Sequence, residues 1–342
     1  MLKRSFIVVL VLSLAAVALA QSAELQRFER TQRHMGSDFS VKLYATSMAQ
    51  AERGFTAAFG LIAQYDKSMS DYNAESELMR LCAKSPTPEL NEVSEPLFAV
   101  LLRARELNQE TGGAFDVTVG PLTRLWRRAR RQRELPTEEE RSTALAAVGQ
   151  KHIELDAKKQ RVKLNAAGMR IDLGGIAPGF AADRALAELR ELGITSALVD
   201  ASGDVVIGDP PPGEKGWKVG IAPLQADQPP DRFLLVSHAA ISTSGDAFRG
   251  VEIEGVRYSH IVDPVTGIGL KHRSSVTVIA PDGATADGLA TAVSVLGVER
   301  GRALIEKLPQ THVRIVYQDE RGKTHSSESP GFRRFDLPPS RR

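Results

Sequence analysis

The chain of 342 residues contains one cysteine, Cys82, so no intramolecular disulfide can form. It also lacks a charge excess: 44 basic residues face 42 acidic ones, for a formal net charge of +2. Global electrostatics therefore gives no argument for nucleic acid or membrane binding. No repeat period and no low-complexity tract interrupts it. Beyond the first twenty residues no apolar run approaches the length of a membrane span. What remains is a chain with 42% hydrophobic residues, enough for a sizeable core in one large domain or two ordinary ones.

The first twenty residues read as a targeting segment. Lys3 and Arg4 precede an apolar run from Phe6 to Val17, and Ala18-Leu19-Ala20 is a small-x-small cleavage site. Cleavage after Ala20 and export are expected, with an uncleaved anchor as the alternative. Cleavage would remove two basic residues and no acidic one, leaving the two signs balanced.

The stretch from Arg170 to Asp204, RIDLGGIAPGFAADRALAELRELGITSALVDASGD, organises the rest. A short apolar strand is expected from Met169 to Leu173, then Gly174-Gly175, a helix from near Pro178, and a second strand from Ser196 to Asp200. Proline suits a first helical turn because its missing N–H would be unpaired there. Two glycines before a helix N-terminus let a ligand approach the backbone, where free N–H groups favour phosphate. The pattern is neither GxGxxG nor a P-loop. Taken alone, it reads equally well as a tight turn with no ligand.

Helices are expected from Met48 to Tyr65, Asn91 to Thr111, Pro136 to Val148, Asp287 to Leu296 and Glu299 to Leu308, with Gly297 as a stop. Strands are expected around His152 to Leu155, Arg161 to Asn165, Trp217 to Ile221 and Val313 to Tyr317. Strands and helices mix without strict βαβ alternation, which argues for an α+β fold. From Arg124 to Arg133 six arginines surround Trp126. They suit a solvated helix face balanced by Glu134 and Glu138 to Glu140, or a surface that meets an acidic partner or anionic lipid.

Five segments then recur in a telling order: TGGAFDVTVGP (111–121), DLGGIAPGFAADRA (172–185), STSGD (242–246), YSHIVDPVTG (258–267) and ADGLATA (286–292). In order and spacing the sequence resembles the ApbE family of FAD:protein FMN transferases over roughly Gln32 to Gln318. The resemblance implies a two-lobed, T-fold-like α+β architecture with the flavin cleft between lobes. It implies FAD as substrate, Mg²⁺ as cofactor, and transfer of FMN to a Ser or Thr hydroxyl of a partner with release of AMP. The implied partner is a membrane-associated redox protein carrying a motif like Asp-x-Ser/Thr-Gly/Ser-Ala/Ser-Thr. No segment of this chain matches that motif, so FMN should go to a partner in trans.

The resemblance also assigns residues. Met35, Gly36, Met69, Tyr72, Ala114, Phe115, Asp116, Asp172, Gly174, Gly175, Asp183, Thr243, Ser244 and Asp246 would contact FAD. Ala177, Asp287 and Thr291 would hold the metal. His260 would be the base or a flavin-phosphate contact; its ordinary pKa suits proton transfer near neutral pH. By spacing alone, Asp287 and Thr291 lie four apart on one helix face, and either that pair holds a metal or Thr285 or Asp287 caps the helix. Asp116 could equally cap a turn.

Three features depart from the family pattern. Pro178 stands where a Lys is usual, Ser202 where a Gly is usual, and no cysteine follows the leader for lipid attachment. The chain is read as a signal peptide (1–20), a transferase domain (21–325) and a loose polar tail (326–342), exported to the periplasm and soluble after cleavage. Two alternatives share the site: a Mg²⁺-dependent FAD pyrophosphatase yielding FMN and AMP, and a non-catalytic FAD-binding or assembly protein, which Pro178 keeps open.

Overall fold

The computed structural model describes residues 24–338, except 222, 225–227 and 246–249. The chain opens with a hairpin, β1 (Gln26–His34) and β2 (Ser37–Ala45), then α1 (Met48–Met69) and α2 (Glu77–Ala83). There follow β3 (Asn91–Glu92), α3 (Glu95–Glu110), α4 (Gly120–Gln132), α5 (Glu138–Ala146), β4 (Ile153–Asp156) and β5 (Arg161–Leu164). Next come α6 (Ala177–Glu191), β6 (Ala197–Ala201), β7 (Asp204–Ile207), β8 (Trp217–Ile221), β9 (Arg232–Val236) and β10 (Ala239–Gly245). The chain closes with β11 (Val251–Ile253), β12 (Val256–Tyr258), β13 (Ser274–Ala280), α7 (Gly283–Ile305), β14 (His312–Gln318) and β15 (Thr324–Glu328).

Eight strands form one antiparallel sheet in the order β1-β2-β6-β7-β10-β13-β14-β15. The α+β expectation is met: helices collect on one face rather than crossing between parallel strands. Strand alternation divides the core. Phe39, Val41 and Leu43 of β2 and Val276, Val278 and Ala280 of β13 face the main core with α1, α6 and α7. Ile279, Ile241 and Leu198 point the other way, onto Trp217, Leu234 and Phe332. A third small core joins α4 and α5 to the β11–β12 hairpin through Leu122, Trp126, Ala144, Tyr258 and Val262.

Helices α6 and α7 cross tightly. A Cβ on Gly179 would run into the Gly283 carbonyl, and one on Gly283 into the Gly179 carbonyl. Asp183 of α6 accepts from the Gly283 N–H at 2.6 Å and the Ala284 N–H at 3.0 Å, satisfying two donors that a helix start leaves open. The two helix starts are thereby locked side by side.

Several expected elements come out differently. Met169, Ile171 and Leu173 are buried, but the segment forms no ladder. Its N–H groups are taken by tertiary partners, Ile171 by Cys82 Sγ at 3.4 Å and Asp172 by the Val117 carbonyl at 2.8 Å. The helix expected from Asn91 starts at Glu95, with Pro96 in its first turn, because Asn91 and Glu92 pair with β5. After Asp116 the chain turns at once, Val117–Val119 forming a 3₁₀ turn. Helix α7 begins at Gly283, ahead of Asp287, because Asp282 caps it by accepting from the Thr285 N–H at 2.8 Å. Gly297 does break the helix as expected: its backbone is non-helical (φ 77°, ψ −174°), so Gly283–Ile305 is two helices meeting at a kink. The tail is not loose as far as it is described: β15 extends β14, Phe332 is fully buried, and Arg232 holds Asp336 at 2.7 Å.

Candidate active site

Between the main core and the α4–α5 lobe lies a cavity of about 780 Å³. That is within the range of small-molecule sites. Residues far apart in sequence reach it from different walls. The β1–β2 turn contributes Met35 and Gly36, both with positive φ (49° and 74°). The end of α1 contributes buried Met69, and the following loop contributes Tyr72, which is 74% exposed at the mouth. Ala114, Phe115 and Asp116 form another wall, and Asp172, Gly174, Gly175 and Ala177 a third. Thr243 and Ser244 enter from β10, His260 from the loop after β12, and Asp287 and Thr291 from α7.

Two expected contacts are not among them. Asp183 lines a separate hollow and spends both oxygens on the start of α7; burial pushes its carboxyl up to about 7. Its place in DLGGIAPGFAADRA serves helix packing rather than the cavity. Asp246 lies outside the described residues.

The acidic corner is the most constrained part. Asp287 is 4% exposed, and its Oδ2 has no hydrogen-bond partner. Burial, then the Asp204 carboxylate, raise its pKa well above the usual range, while the Gly179 backbone bonds to it and opposes the rise. Neither Asp287 nor Thr285 caps α7, since Asp282 does. A buried acceptor left open this way costs stability unless something fills it. Thr291, one turn on, lies against the glycine loop: a Cβ on Gly175 would stand 3.0 Å from its hydroxyl. Among the described residues no group of three or more His, Cys, Asp or Glu could bind a metal. The corner offers the Asp287 carboxylate with that of Asp204 nearby, one hydroxyl and the Ala177 backbone, a sparse all-oxygen set. Such a set fits Mg²⁺, which keeps waters and takes substrate phosphates.

The phosphate loop is less open than the sequence implies. The Gly174 N–H donates to Asp172 Oδ1 at 2.9 Å, and the Ile176 and Ala177 N–H groups both go to the Leu173 carbonyl. Pro178 has no N–H, and the Gly179 backbone is engaged with Asp287. Within this turn the Gly175 N–H alone is left without a protein acceptor.

Asp116 does cap, accepting from the Thr118 N–H at 2.8 Å and its hydroxyl at 2.6 Å, while lining the cavity. Burial raises its pKa. Ser202, in the SGD turn, has φ 57°. The position does require the left-handed region, and serine is held there by accepting from the Asp38 N–H at 3.1 Å and donating to the Asp38 carbonyl at 2.9 Å.

Sequence reasoning missed Arg127 by reading its run as one undivided face. Its guanidinium pairs with Asp71 at 2.5 Å and Asp172 at 3.0 Å and lies 4.3 Å from the Tyr72 ring centre. One side chain thus ties the glycine loop to the loop after α1. Burial, then the Asp172 charge, push the Asp71 carboxyl up against the pull of Arg127. The available signal was spacing: Thr123, Arg127 and Arg130 line the cavity from α4, flanking the buried stripe of Leu122, Trp126 and Ala129. Two nearby cations do not replace a lysine at Pro178: Lys271 sits over Tyr258 and Arg273 near the Leu224 carbonyl, both outside the cavity lining.

Fold and cavity together define a class: an α+β protein whose large antiparallel sheet carries a deep site with an oxygen-ligand corner beside a glycine loop. The family model described as ApbE family matches residues 35–315, and the chain belongs to that family. It is 33% identical over 300 residues to the FAD:protein FMN transferase of Vibrio cholerae, covering 86% of this chain and 89% of the relative. It is 31% identical over 315 residues to the FAD:protein FMN transferase of Treponema pallidum, covering 87% of each. The solved flavin transferase ApbE from Vibrio cholerae superposes with a TM-score of 0.82 at 30% identity, covering 91% of this chain and all of that one. The ApbE protein from Thermotoga maritima does so at 0.81 and 31% identity, again over 91% of this chain and all of its own.

Proposed function

We propose that this protein transfers FMN from FAD to a Ser or Thr hydroxyl of a partner protein, with Mg²⁺ required and AMP released. The single observation that carries the reading is the buried Asp287 with an open oxygen, next to Thr291 and the glycine loop in a cavity of flavin size. Asp287, Thr291 and the Ala177 backbone carbonyl would hold the ion. When bound, Mg²⁺ supplies charge neutralisation at the pyrophosphate. Met69 and Tyr72 would contact flavin or adenine, and the Gly175 N–H would face a phosphate oxygen. His260 takes the proton from the acceptor hydroxyl as that oxygen attacks the FMN phosphorus in line. The pyrophosphate P–O bond breaks, and AMP keeps the bridging oxygen. The acceptor would be a membrane-associated redox protein, met outside the cytoplasm after leader cleavage.

Intact mass of a motif-bearing peptide incubated with FAD and Mg²⁺ tests this. A gain of one FMN, absent with EDTA, is the expected outcome. Free FMN and AMP with an unmodified peptide would mean hydrolysis, and retained FAD without turnover a binding protein. Asp287→Asn sharpens the test. It removes a carboxyl whose ionisation burial and Asp204 oppose, so the melting temperature should hold or rise. Transfer should be lost, along with any stabilisation by Mg²⁺ in the presence of FAD. Transfer at the wild-type rate would sink the metal assignment.

A further inference from the structure

Helix α4 carries more positive charge than its surroundings neutralise. Of its six arginines, counting Arg133 at its C-cap, Arg127 is taken by Asp71 and Asp172, and Arg128 by Glu140 at 2.6 Å. Glu138 is engaged by Arg141, and Glu134 and Glu139 are exposed and lie within ion-pair distance of none of these arginines. Arg124, Arg130, Arg131 and Arg133 are exposed and have no acidic partner among the described residues. With the whole chain near neutral, this patch is local. The helix dipole favours cations in the last turn, which suits Arg130 and Arg131. It does not account for Arg124 near the other end.

The patch also has a definite place. At 100° per residue, Leu122, Trp126 and Ala129 form the buried stripe. Thr123, Arg127 and Arg130 turn toward the cavity, and Arg124 and Arg131, seven apart, continue the basic surface outward. Arg130 is both cavity-lining and exposed, so the basic surface starts at the mouth and runs away from it. The apolar residues of α4 face the core rather than sharing the arginine side. A helix lying on lipid would present them beside its arginines.

We propose that this surface docks an acidic segment of the acceptor protein, next to the hydroxyl that enters the cavity. The inference rests on the transferase reading: its second substrate is a macromolecule, and the chain flanking the modified residue passes the cavity rim, one side of which is α4. Opposite charges across such a rim raise encounter rate and select partners, and salt weakens both effects.

The test uses the mature protein with FAD, Mg²⁺ and two synthetic peptides bearing the same Ser/Thr acceptor motif. One is flanked by Asp and Glu, the other by Gly and Ser. The acidic peptide should show a KM on the order of tenfold lower at low salt, an advantage lost near about 0.5 M salt. The variant Arg124→Gln/Arg131→Gln/Arg133→Gln leaves both cavity-lining arginines in place. It should abolish the preference while leaving kcat/KM for the neutral peptide unchanged. Equal KM values for the two peptides in the wild type, or an equal loss on both in the variant, would overturn the proposal. A protein that modifies neither peptide fails at the transferase reading itself, and the docking role falls with it. Sedimentation with phosphatidylserine vesicles, lost in the variant and without any peptide preference, would assign the surface to lipid instead.

Discussion

At the residue scale, Arg127 shows how one side chain can assemble a site without touching the chemistry. Its planar fork meets two carboxylates from different loops and supports the ring of Tyr72. Removing it would leave Asp71 and Asp172 facing each other with only the weaker pull of Arg170 on Asp71. Arg127→Ala is expected to raise KM for FAD by on the order of tenfold, with a smaller change in kcat. Arg127→Lys should recover only part of the loss, because an ammonium lacks the fork. Steady-state kinetics and FAD titration check both variants; wild-type KM in Arg127→Ala would show that the loops hold without it. The same scale explains what the sequence concealed. Asp287 and Arg127 both belong to patterns with ordinary meanings, a helix start and a charged face. Only the neighbours, Asp282 as the cap and Asp172 as the partner, separate those meanings.

At the element scale, the crossing of α6 and α7 determines where Asp287 stands. Gly179 and Gly283 allow the approach, and Asp183 fastens it. The folded Asp183 carboxyl titrates at about 7, against an ordinary value of 3.8. Between those values the folded chain keeps a proton that the unfolded chain has released. Stability from this group therefore falls as pH rises through that window, and the penalty is complete above it. Asp183→Asn should flatten that dependence. It also offers one acceptor oxygen where two N–H groups call for two, at a cost of about 1 kcal/mol near pH 5. Urea denaturation at several pH values between about 4 and 8 measures both effects. A pH slope identical to wild type would mean that the two N–H bonds keep Asp183 ionised. Long periodic elements such as α1, and the strand Trp217–Ile221, were legible in the sequence because each carries its own pattern. Met169 to Leu173 was misread because three buried apolar residues in alternation look like a strand whether or not a neighbouring strand is present.

At the scale of the whole molecule, the chain closes on itself. β15 and Phe332 seal the far edge and face of the sheet, so residues that look polar and dispensable complete a core. Among the described residues no helix is long and apolar enough to cross a membrane. The leader expected from the sequence lies outside those residues and is tested by mass: protein recovered from a secreting bacterial host should begin at Gln21, whereas retention of Lys3 and Arg4 in a membrane fraction would indicate an anchor. The sequence by itself determined the α+β class, the family and most of the cavity wall, because those depend on short motifs and local periodicity. The tertiary structure alone decided that Asp183 fastens helices, that Asp287 is left with an open oxygen, and that Arg127 joins two loops. These are statements about which groups from distant segments meet out of water, and no local pattern encodes the distance between them.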